Sequence, residues 1–484
     1  MAKKNNAQFV QEIADINENF PQWYTDVVLK TELVDYGPVK GSMVIRPYGY
    51  AIWENIQKEL DKRFKETGHK NAYFPMLIPY SFLTREKEHI EGFAPEVALV
   101  THYGEEELPE KLVVRPTSET IICEMYKKWV KSYRDLPVLI NQWANVFRCE
   151  KTTRPFLRTS EFLWQEGHTL HRTHEEAEEE TFKMLNVYAE FMKNVLATPV
   201  LTGKKTEKEK FAGANATYGM EAMMLDGKSL QAGTSHDLGC NFAKGFEIKY
   251  LDKDGELKFP YQTSWGVSTR LIGALIMAHG DQRGLALPPR VAPIQAIVIP
   301  IASHKEGVLD KAKNLYKELL ASGIRAEKDF TDNTPGWKFN EWEMKGVPLR
   351  IEQGPRDIEN GVVQIVRRDT FEKFEVAREN IAQTVAKLLD DVHENMYNKA
   401  KAFMDSHIIT CSTLEEMKEA LDNKCFVKTM WCGCPECEAK IKELYQATAR
   451  VMPFDQTPVG NKCICCGKEC KEEDLKVIYF ARAY

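Results

Sequence analysis

The sequence has no apolar run long enough to cross a membrane, and its first residues lead into a polar stretch instead of an apolar leader. Positive charge is not in excess, because 65 lysines and arginines face 71 aspartates and glutamates, giving a net charge of −6. This balance argues against indiscriminate binding to nucleic acid, so contact with RNA would need local basic patches. We therefore expect a cytoplasmic protein with no membrane partner.

The composition is that of an ordinary globular protein, with 43% hydrophobic and 28% charged residues. A chain of 484 residues can form two to four domains with substantial cores. The twelve cysteines are unevenly distributed: Cys123, Cys149 and Cys240 are scattered, and nine others lie between Cys411 and Cys470. In a cytosolic chain, such a cluster predicts a metal site before it predicts disulfides.

The chain divides into segments 1–287, 288–390 and 391–484. In the first segment, apolar residues at helical spacing predict a helix over 52–64 that ends at Gly68. A strand over 72–75, further strands over 111–115 and 138–147, and a helix over 182–196 follow. Strands and helices do not alternate regularly, which favours an antiparallel α+β domain over a doubly wound sheet.

The second segment begins at a proline-rich break, Leu287-Pro288-Pro289-Arg290. Strands over 296–301, 324–327 and 348–352 alternate with helices over 308–319 and 337–344. This alternation predicts a compact α/β module. The third segment follows a helical connection around 391–403 and contains the cysteine cluster.

One run concentrates chemically active side chains across a strand, a loop and a second strand. Arginine forks bind phosphate, aromatic faces stack on bases, and carboxylates hold ammonium groups, so the run predicts adjacent sites for a nucleoside triphosphate and an amino acid. An amphipathic hairpin with solvated charges is the alternative, but the aromatic residues interleave with the charges. The run reads Phe147-Arg148-Cys149-Glu150, then Arg158, then Glu161-Phe162-Leu163-Trp164-Gln165-Glu166-Gly167-His168.

The pattern F-R-x-E, a loop with a further arginine, then E-F resembles the second motif of the class II aminoacyl-tRNA synthetases. Its extension F-L-W-Q-E-G-H, with R-P-T-S-E at 115–119, resembles the prolyl-tRNA synthetases. Trp265-Gly266-Val267-Ser268-Thr269-Arg270 is similar to the third motif, with Ser268 in place of the family's second glycine. The helix over 52–64 and the strand ending at Pro75 resemble the first motif, which implies a homodimer; a helix in its own core is the alternative.

The resemblance covers nearly the whole chain. It implies a class II catalytic domain on an antiparallel sheet over 1–287, an α/β anticodon-binding domain over 288–390 and a small α+β zinc-binding domain over 391–484. The implied reaction joins L-proline to ATP, releases pyrophosphate and transfers proline to tRNA(Pro).

The resemblance also implies residues for ATP. Arg148 and Arg270 would be catalytic, with Arg148 on the α-phosphate and the substrate carboxylate and Arg270 on the terminal phosphate. A surface arginine on a helix is the alternative for Arg270. Magnesium would bridge the phosphates, and Glu221 is a guess for its ligand. The other implied ATP-binding residues are Glu150 and Phe162 at the adenine, Arg158 at the outer phosphates, Gln231 at the ribose or adenine, and Thr234.

For proline, Thr117 and Glu119 would bind the ammonium, and Trp164 would form a flat wall. Arg148 would hold the carboxylate. Structural histidines with satisfied hydrogen bonds are the alternative for the two histidines of this set. The remaining implied proline-binding residues are Glu166, His168, Thr234 and His236.

A pocket for proline should also admit alanine, which lacks two ring methylenes worth about 0.8 kcal/mol each. One methylene gives roughly 10–200-fold discrimination. Bacterial-type relatives carry an editing insertion between the second and third motifs, but only about a hundred residues separate Glu166 from Ser264 here. We therefore expect alanine activation without clearance in cis.

Glu343, Arg350 and Arg356 match the family's readers of the two anticodon guanines, within a run that spans 335–357. Arginine suits the acceptors of guanine, and a carboxylate suits its imino and amino hydrogens. An exposed charged corner is the alternative.

The cysteine cluster contains two knuckles about 25 residues apart, and four thiolates suit tetrahedral zinc. By resemblance to the archaeal- and eukaryote-like prolyl enzymes, the ligands are Cys432, Cys437, Cys463 and Cys466. Cys434 and Cys465 are possible substitutes, and a redox pair is the alternative. Because this site lies far in sequence from the nucleotide motifs, we expect it to serve folding.

Two other interpretations remain at this point. A class II enzyme for threonine, serine, glycine or histidine would lack the W-Q-E-G-H run and the cysteine knuckles. A catalytically dead paralogue that binds tRNA would be expected to lose a motif arginine, whereas Arg148, Arg158 and Arg270 are all present. The aromatic tail 481–484 has no implied role, and burial near the catalytic domain is a hypothesis for it.

Overall fold

The structure is a computed structural model that describes residues 13–85, 97–469 and 475–484. The polar start of the chain and Cys470, both considered above, lie outside these ranges. Across the described ranges, no helix combines the length and the apolar character that a membrane span requires.

The elements follow the three segments of the sequence. The helices of the first segment are α1 (Phe20–Lys30), α2 (Pro47–Glu66), α3 (Tyr80–Arg85), α4 (Glu119–Trp129), α5 (His174–Asn194), α6 (Asn241–Gly245) and α7 (Arg270–His279), with a 3₁₀ turn at Tyr133–Asp135. Its strands are β1 (Val34–Tyr36), β2 (Met43–Ile45), β3 (Lys70–Asn71), β4 (Leu77–Pro79), β5 (Leu99–Tyr103), β6 (Glu106–Val114), β7 (Val138–Phe147), β8 (Glu161–His171), β9 (Val200–Lys204), β10 (Ala216–Met223), β11 (Ser229–Gly239), β12 (Tyr250–Leu251), β13 (Leu257–Lys258) and β14 (Tyr261–Ser268).

The remaining elements begin after the proline-rich break. The second segment contains β15 (Ala296–Pro300), α8 (Val308–Ala321), β16 (Ala326–Lys328), α9 (Pro335–Met344), β17 (Leu349–Gln353), α10 (Pro355–Glu359), β18 (Val362–Arg367) and β19 (Lys373–Ala377). The long helix α11 (Ile381–Ser406) leads into β20 (Ile408–Thr410), α12 (Leu414–Asp422), β21 (Phe426–Trp431), α13 (Pro435–Tyr445), β22 (Thr448–Ala449), β23 (Met452–Pro453) and β24 (Lys476–Ala481). The boundary at 390 falls within α11, and the exact domain limits stay predictions.

A large sheet organises the first segment, with strand order β23-β9-β10-β11-β14-β8-β7-β3. β3 pairs in parallel with β7, and the other pairings are antiparallel. α5 packs on this sheet with buried Met184, Leu185, Tyr188 and Phe191. The predicted antiparallel α+β domain is confirmed.

The helix predicted over 52–64 is present as α2, and its apolar stripe of Ile52, Ile56, Leu60 and Phe64 is buried. The strand predicted over 72–75 is wrong, because β3 ends at Asn71. The N–H of Ala72 still donates to the carbonyl of Asn141, but the next partner is the side chain of Gln142, which accepts from the N–H of Phe74. A side chain therefore replaces the backbone ladder, and Pro75 lacks an N–H to continue it.

The second segment forms a mixed sheet with strand order β16-β15-β17-β18-β19. β15 is parallel to both β16 and β17, as the predicted alternation requires. The antiparallel β18–β19 pair at the other edge was not predicted. Buried Leu315, Leu319, Val298 and Ile351 hold α8 against this sheet.

The third segment forms a sheet in the order β20-β21-β24-β22. β23 is not part of this sheet and instead forms an edge strand of the catalytic sheet. Met452 pairs with Lys204 and Pro453 with Gly203. In the tail, the N–H of Tyr484 donates to the carbonyl of Ser229 at 3.1 Å. The tail thus lies against the catalytic domain, in agreement with the hypothesis from sequence.

Candidate functional site

An open cavity of about 270 Å³ lies on the catalytic sheet, where β8, β11 and β14 are neighbours. In β8, residues 162, 164, 166 and 168 alternate and therefore share one face of the strand. Register across the sheet aligns His168 with Ser264 and His236, and aligns Glu166 with Gly266 and Thr234. The predicted residues that line the cavity are Thr117, Glu119, Arg148, Phe162, Trp164, Glu166, His168, Gln231, Thr234, His236 and Arg270.

Arg148 follows β7 and extends into the cavity between aromatic faces. Its Nε donates to the carbonyl of Pro116 at 2.9 Å, and its Cζ lies 5.2 Å from the ring centroid of Phe162 and 5.7 Å from that of Trp164. Burial lowers the pKa of Arg148, and the charges of Glu119 and other nearby carboxylates oppose that shift. A guanidinium remains protonated in proteins, so a fixed cation stands in the cavity.

Arg270 enters the same cavity from the first turn of α7. Its backbone N–H donates to the hydroxyl of Ser268 at 3.2 Å, and its Nη1 donates to the carbonyl of Gln231 at 3.4 Å. Ser268 therefore has a local role at the position where it departs from the family pattern. Burial lowers the pKa of Arg270, and the positive charges of Arg148 and Arg158 lower it further. Such a concentration of cations favours a polyanion.

Carboxylates occupy the other part of the cavity. The hydroxyl of Thr117 donates to Glu119, while Glu166 accepts from the Nε2 of Gln142 at 2.8 Å and lies 2.9 Å from the Nε2 of His168. Burial alone would raise the pKa of Glu166 and lower that of His168. Their mutual hydrogen bond and opposite charges outweigh burial, so the pKa of Glu166 lies below its usual value and that of His168 above.

His236 differs from His168 in the direction of its pKa shift. Its Nδ1 lies 2.9 Å from the hydroxyl oxygen of Thr217, and its ring centroid lies 4.8 Å from that of Phe211. Burial lowers the pKa of His236 to about 3, and the charges of His168 and Lys205 act in the same direction. The pKa values of the two cavity imidazoles are therefore shifted in opposite directions.

Several lining residues were not predicted from the sequence, among them Glu209, Phe211 and Thr217. Thr217 lies directly opposite His236 in the β10–β11 pair, so recognition of β10 as a strand would have indicated it. β10 is buried along its whole length and shows no alternation. Glu209 and Phe211 lie on an irregular loop for which the sequence gave no signal.

Two predicted ATP-binding residues do not line the cavity. Arg158 and Glu150 lie on either side of the loop between β7 and β8, with 4.0 Å between the Nε of Arg158 and the Oε2 of Glu150. The side chain of Arg158 is 54% exposed. The structure also argues against Glu221 as a magnesium ligand. This buried carboxylate contacts Lys205, Ser229 and Arg450 and does not line the cavity.

Two of the three predicted guanine readers, Glu343 and Arg350, meet at the start of β17, whereas Arg356 follows the other end of this strand. The Oε1 of Glu343 accepts from Arg350 at 2.6 Å, and its Oε2 accepts from Arg283 of the catalytic segment at 2.8 Å. Arg350 also donates to Glu352 and lies over the ring of Phe339 at 4.0 Å. The third reader, Arg356, is exposed on the surface of α10.

The four predicted metal ligands lie together at the two knuckles. The sulfur atoms of Cys432, Cys437, Cys463 and Cys466 all lie within 4.8 Å of one another. The Sγ of Cys432 is 3.8 Å from that of Cys437 and 3.9 Å from that of Cys466. Tetrahedral Zn²⁺ with Zn–S bonds of about 2.3 Å requires sulfur atoms about 3.8 Å apart, so the arrangement fits zinc.

An antiparallel sheet with buried arginines and buried carboxylates in one cavity defines a class II aminoacyl-tRNA synthetase core. Family models agree: tRNA synthetase class II core domain (G, H, P, S and T) matches residues 102–279, Anticodon binding domain matches 295–388, and Prolyl-tRNA synthetase, C-terminal matches 414–484. The chain is 61% identical to a "Proline--tRNA ligase" of Alkaliphilus oremlandii and 60% identical to one of Acetoanaerobium sticklandii, with both chains of each pair fully covered. It is 57% identical to "Proline--tRNA ligase 2" of Clostridioides difficile, over 99% of this chain and all of that relative. The chain belongs to the prolyl-tRNA synthetase family.

We predict that the two cavity histidines titrate differently. Histidine NMR should show His168 protonated to a higher pH than the ordinary value of about 6.5, while His236 stays neutral above about pH 4. Because folding raises the pKa of His168, its stabilisation is complete below about pH 6.5 and is lost as the pH rises through the folded value.

Glu166→Gln should lower the pKa of His168, since it removes the opposing charge. His→Gln variants at each position assign the resonances. An unchanged pKa of His168 in Glu166→Gln would contradict the pairing, and Lys210→Gln, which disrupts an ion pair with Glu207, is the control.

Proposed function

We propose that the chain is a prolyl-tRNA synthetase in activity as well as family. Its substrates are then L-proline, ATP and tRNA(Pro). A carboxylate oxygen of proline attacks the α-phosphorus of ATP, and pyrophosphate leaves. The 3′-terminal hydroxyl of tRNA(Pro) then attacks the carbonyl carbon of prolyl-adenylate, and AMP leaves. The observation that carries this proposal is the single cavity with Arg148 and Arg270 in one part and Glu119, Glu166 and His168 in the other.

Positioning and charge neutralisation lower the barrier to the first step. Arg148 holds the α-phosphate and the proline carboxylate, and Arg270 holds the terminal phosphate. Phe162 stacks on the adenine, while Gln231 and Thr234 line the nucleotide side. Mg²⁺, when bound, neutralises charge on the phosphates.

Glu150 and Arg158 act from the loop between β7 and β8. Because they lie outside the cavity, their proposed contacts with the adenine and the outer phosphates require this loop to fold over bound ATP. The exposed side chain of Arg158 has the freedom to move in this way.

The proline side of the cavity combines anionic, neutral and flat surfaces. Thr117, Glu119 and Glu166 bind the secondary ammonium, whose two hydrogens suit carboxylate and hydroxyl acceptors. Trp164 packs on the ring, and its Nε1–H is buried with no hydrogen-bond partner among the described residues. His168 fixes Glu166 in its charged form, and the neutral ring of His236 tolerates the apolar pyrrolidine.

We expect ATP–pyrophosphate exchange, tested with all twenty amino acids and without tRNA, to be dominated by proline. Alanine fills the same pocket with fewer contacts, so its kcat/KM should be about two to four orders of magnitude lower. Purified enzyme should also form Ala-tRNA(Pro), because we propose that no editing occurs in cis.

Three results would change this proposal. If another amino acid dominated the exchange, the class II synthetase assignment would stand, but the proposed proline pocket would be rejected. No exchange at all would reject the synthetase activity. Failure to form Ala-tRNA(Pro) despite alanine activation would reject the absence of editing.

We propose that Glu343, Arg350 and Arg356 read the two anticodon guanines. Glu343 and Arg350 neutralise each other in the free protein, and Arg283 and Glu352 are further partners. Guanine edges can therefore replace one ion pair by hydrogen bonds of both polarities, without leaving a charge unpaired.

Arg350→Ala should lower kcat/KM for charging tRNA(Pro) by about 10- to 100-fold, through lost contacts to guanine. Proline-dependent exchange should be unchanged, because the cavity lies in another segment. Arg378→Ala, which removes an ion pair with Glu318 in the same segment, is the matched control. Normal charging by Arg350→Ala would reject its assignment.

We propose a structural Zn²⁺ held by Cys432, Cys437, Cys463 and Cys466. The sulfur spacing supports this set, whereas the Sγ of Cys434 instead lies 2.6 Å from a carboxylate oxygen of Glu436. A closed four-thiolate site stabilises a fold without an open coordination position for chemistry.

Elemental analysis of purified protein should find one zinc ion per chain. Cys463→Ser should lose the metal and unfold the third segment at a lower temperature, because four thiolates are needed. Cys434→Ser and Cys465→Ser are matched controls that should keep it. If Cys463→Ser kept zinc and Cys465→Ser lost it, Cys465 would replace Cys463 as the proposed ligand.

We also propose a homodimer formed through the region of α2. Large apolar side chains are exposed on this helix and on the segment after it, namely Tyr50, Tyr73, Met76 and Tyr80. A second copy of the chain would cover them. The cytoplasmic location stays a prediction.

A further inference from the structure

We propose that Arg450, in the third segment, is a positioning residue for the ATP-binding part of the catalytic cavity, and that it acts through Glu221. This inference rests on the proposed ATP-dependent activity. Arg450 lies outside the cavity lining, between β22 and β23, and the nucleotide motifs give no indication of it.

Arg450 makes a forked contact with a fully buried carboxylate. Its Nη2 and Nε lie 2.8 and 3.1 Å from the Oε2 of Glu221. The hydroxyl of Ser229 donates to the same oxygen at 2.6 Å, and the Nζ of Lys205 donates to Oε1 at 2.5 Å. Both oxygens are thus held, and two cations from different segments neutralise one anion.

Glu221 lies beside the nucleotide side of the cavity, as the cross-strand neighbour of a lining residue. It pairs with Gln231 across β10 and β11, next to a register shift between Met220 and Glu221. Gln231 lines the cavity, and its carbonyl accepts from Arg270. The position of Glu221 therefore bears on both Gln231 and the guanidinium that we assign to the terminal phosphate.

The charges point to the same connection. Glu221 is the carboxylate whose charge raises the pKa of buried Arg270, whereas Arg148, Arg158 and Arg450 lower it. Without Arg450, Glu221 would keep Lys205 as a cationic partner but would lose two of the three hydrogen bonds to its Oε2, and a buried charged acceptor that loses its donors rearranges. The rearrangement would move the strand pair that carries Gln231.

Arg450 is not needed to dock the third segment. β23 pairs with β9 through Met452 and Pro453, and the N–H of Ser229 donates to the carbonyl of Arg482 at 2.8 Å. Because these backbone contacts do not involve the side chain of Arg450, its variants should still fold and dock.

The test is proline-dependent ATP–pyrophosphate exchange with separate KM values for ATP and proline. Arg450→Gln should raise KM for ATP by about 2- to 30-fold and leave KM for proline unchanged, which is the range for residues that act without touching the ligand. Arg450→Lys should show a smaller effect. In Glu221→Gln combined with Arg450→Gln, the increase in KM for ATP should be smaller than the product of the two single increases, because both changes act on the same contact.

Lys462→Ala is the control, since it removes an exposed ion pair with Glu469 in the same segment. Thermal unfolding must show that each variant is folded. An unchanged KM for ATP, or equal increases for ATP and proline, would overturn the proposal. If the wild-type enzyme uses another amino acid, the proposed proline specificity fails, and the same comparison with that amino acid still decides the role of Arg450.

Discussion

Burial of opposite charges in one cavity is the constraint on which this structure depends. Buried ions are costly unless partners are fixed beside them. The sheet supplies the partners by register: Trp164, Glu166 and His168 alternate along β8, opposite Ser268, Gly266 and Ser264 of β14. Gly266 contributes no side chain between Glu166 and Thr234, so the row stays open for a substrate. A shift of one residue would turn these groups to the other face.

Arginines also connect the three segments. Arg368 of the second segment donates both Nη atoms to Asp281 after α7, each at 2.7 Å, and its Nε donates to the carbonyl of Glu343. Arg283, from the same loop as Asp281, contacts the carboxylate of Glu343. Glu343, which we assign to the anticodon, therefore contacts the loop that follows α7, the helix that carries Arg270. Ion pairs thus join the proposed anticodon residue Glu343 to the loop after α7, at the end of the helix far from Arg270.

Features that depend on residues close together in the sequence were predicted correctly. β7 was predicted at 138–147 with its observed limits, and the cavity residues of β8 were identified because their residue types suit phosphate, base and ammonium. The errors have separate causes. Glu221 suggested a magnesium ligand because its partner Arg450 is 229 positions away, and no periodicity in the sequence indicates such a pair. Thr217 was missed because a strand buried on both faces does not alternate.

The proposed zinc site also makes a contact with a residue far away in the sequence, which the sequence could not indicate. The Cys437 position is more than 200 residues from the loop that carries Glu209 and Phe211, and for that reason the sequence assigned it to folding alone. Its neighbour Glu438 accepts a hydrogen bond from Thr206 at 3.3 Å, and Thr206 begins that loop. A hydrogen bond thus joins the neighbour of a proposed zinc ligand to the start of the loop whose later residues, Glu209 and Phe211, line the cavity. The knuckle is therefore joined to the catalytic segment by a side-chain contact as well as by the backbone pairing of β23.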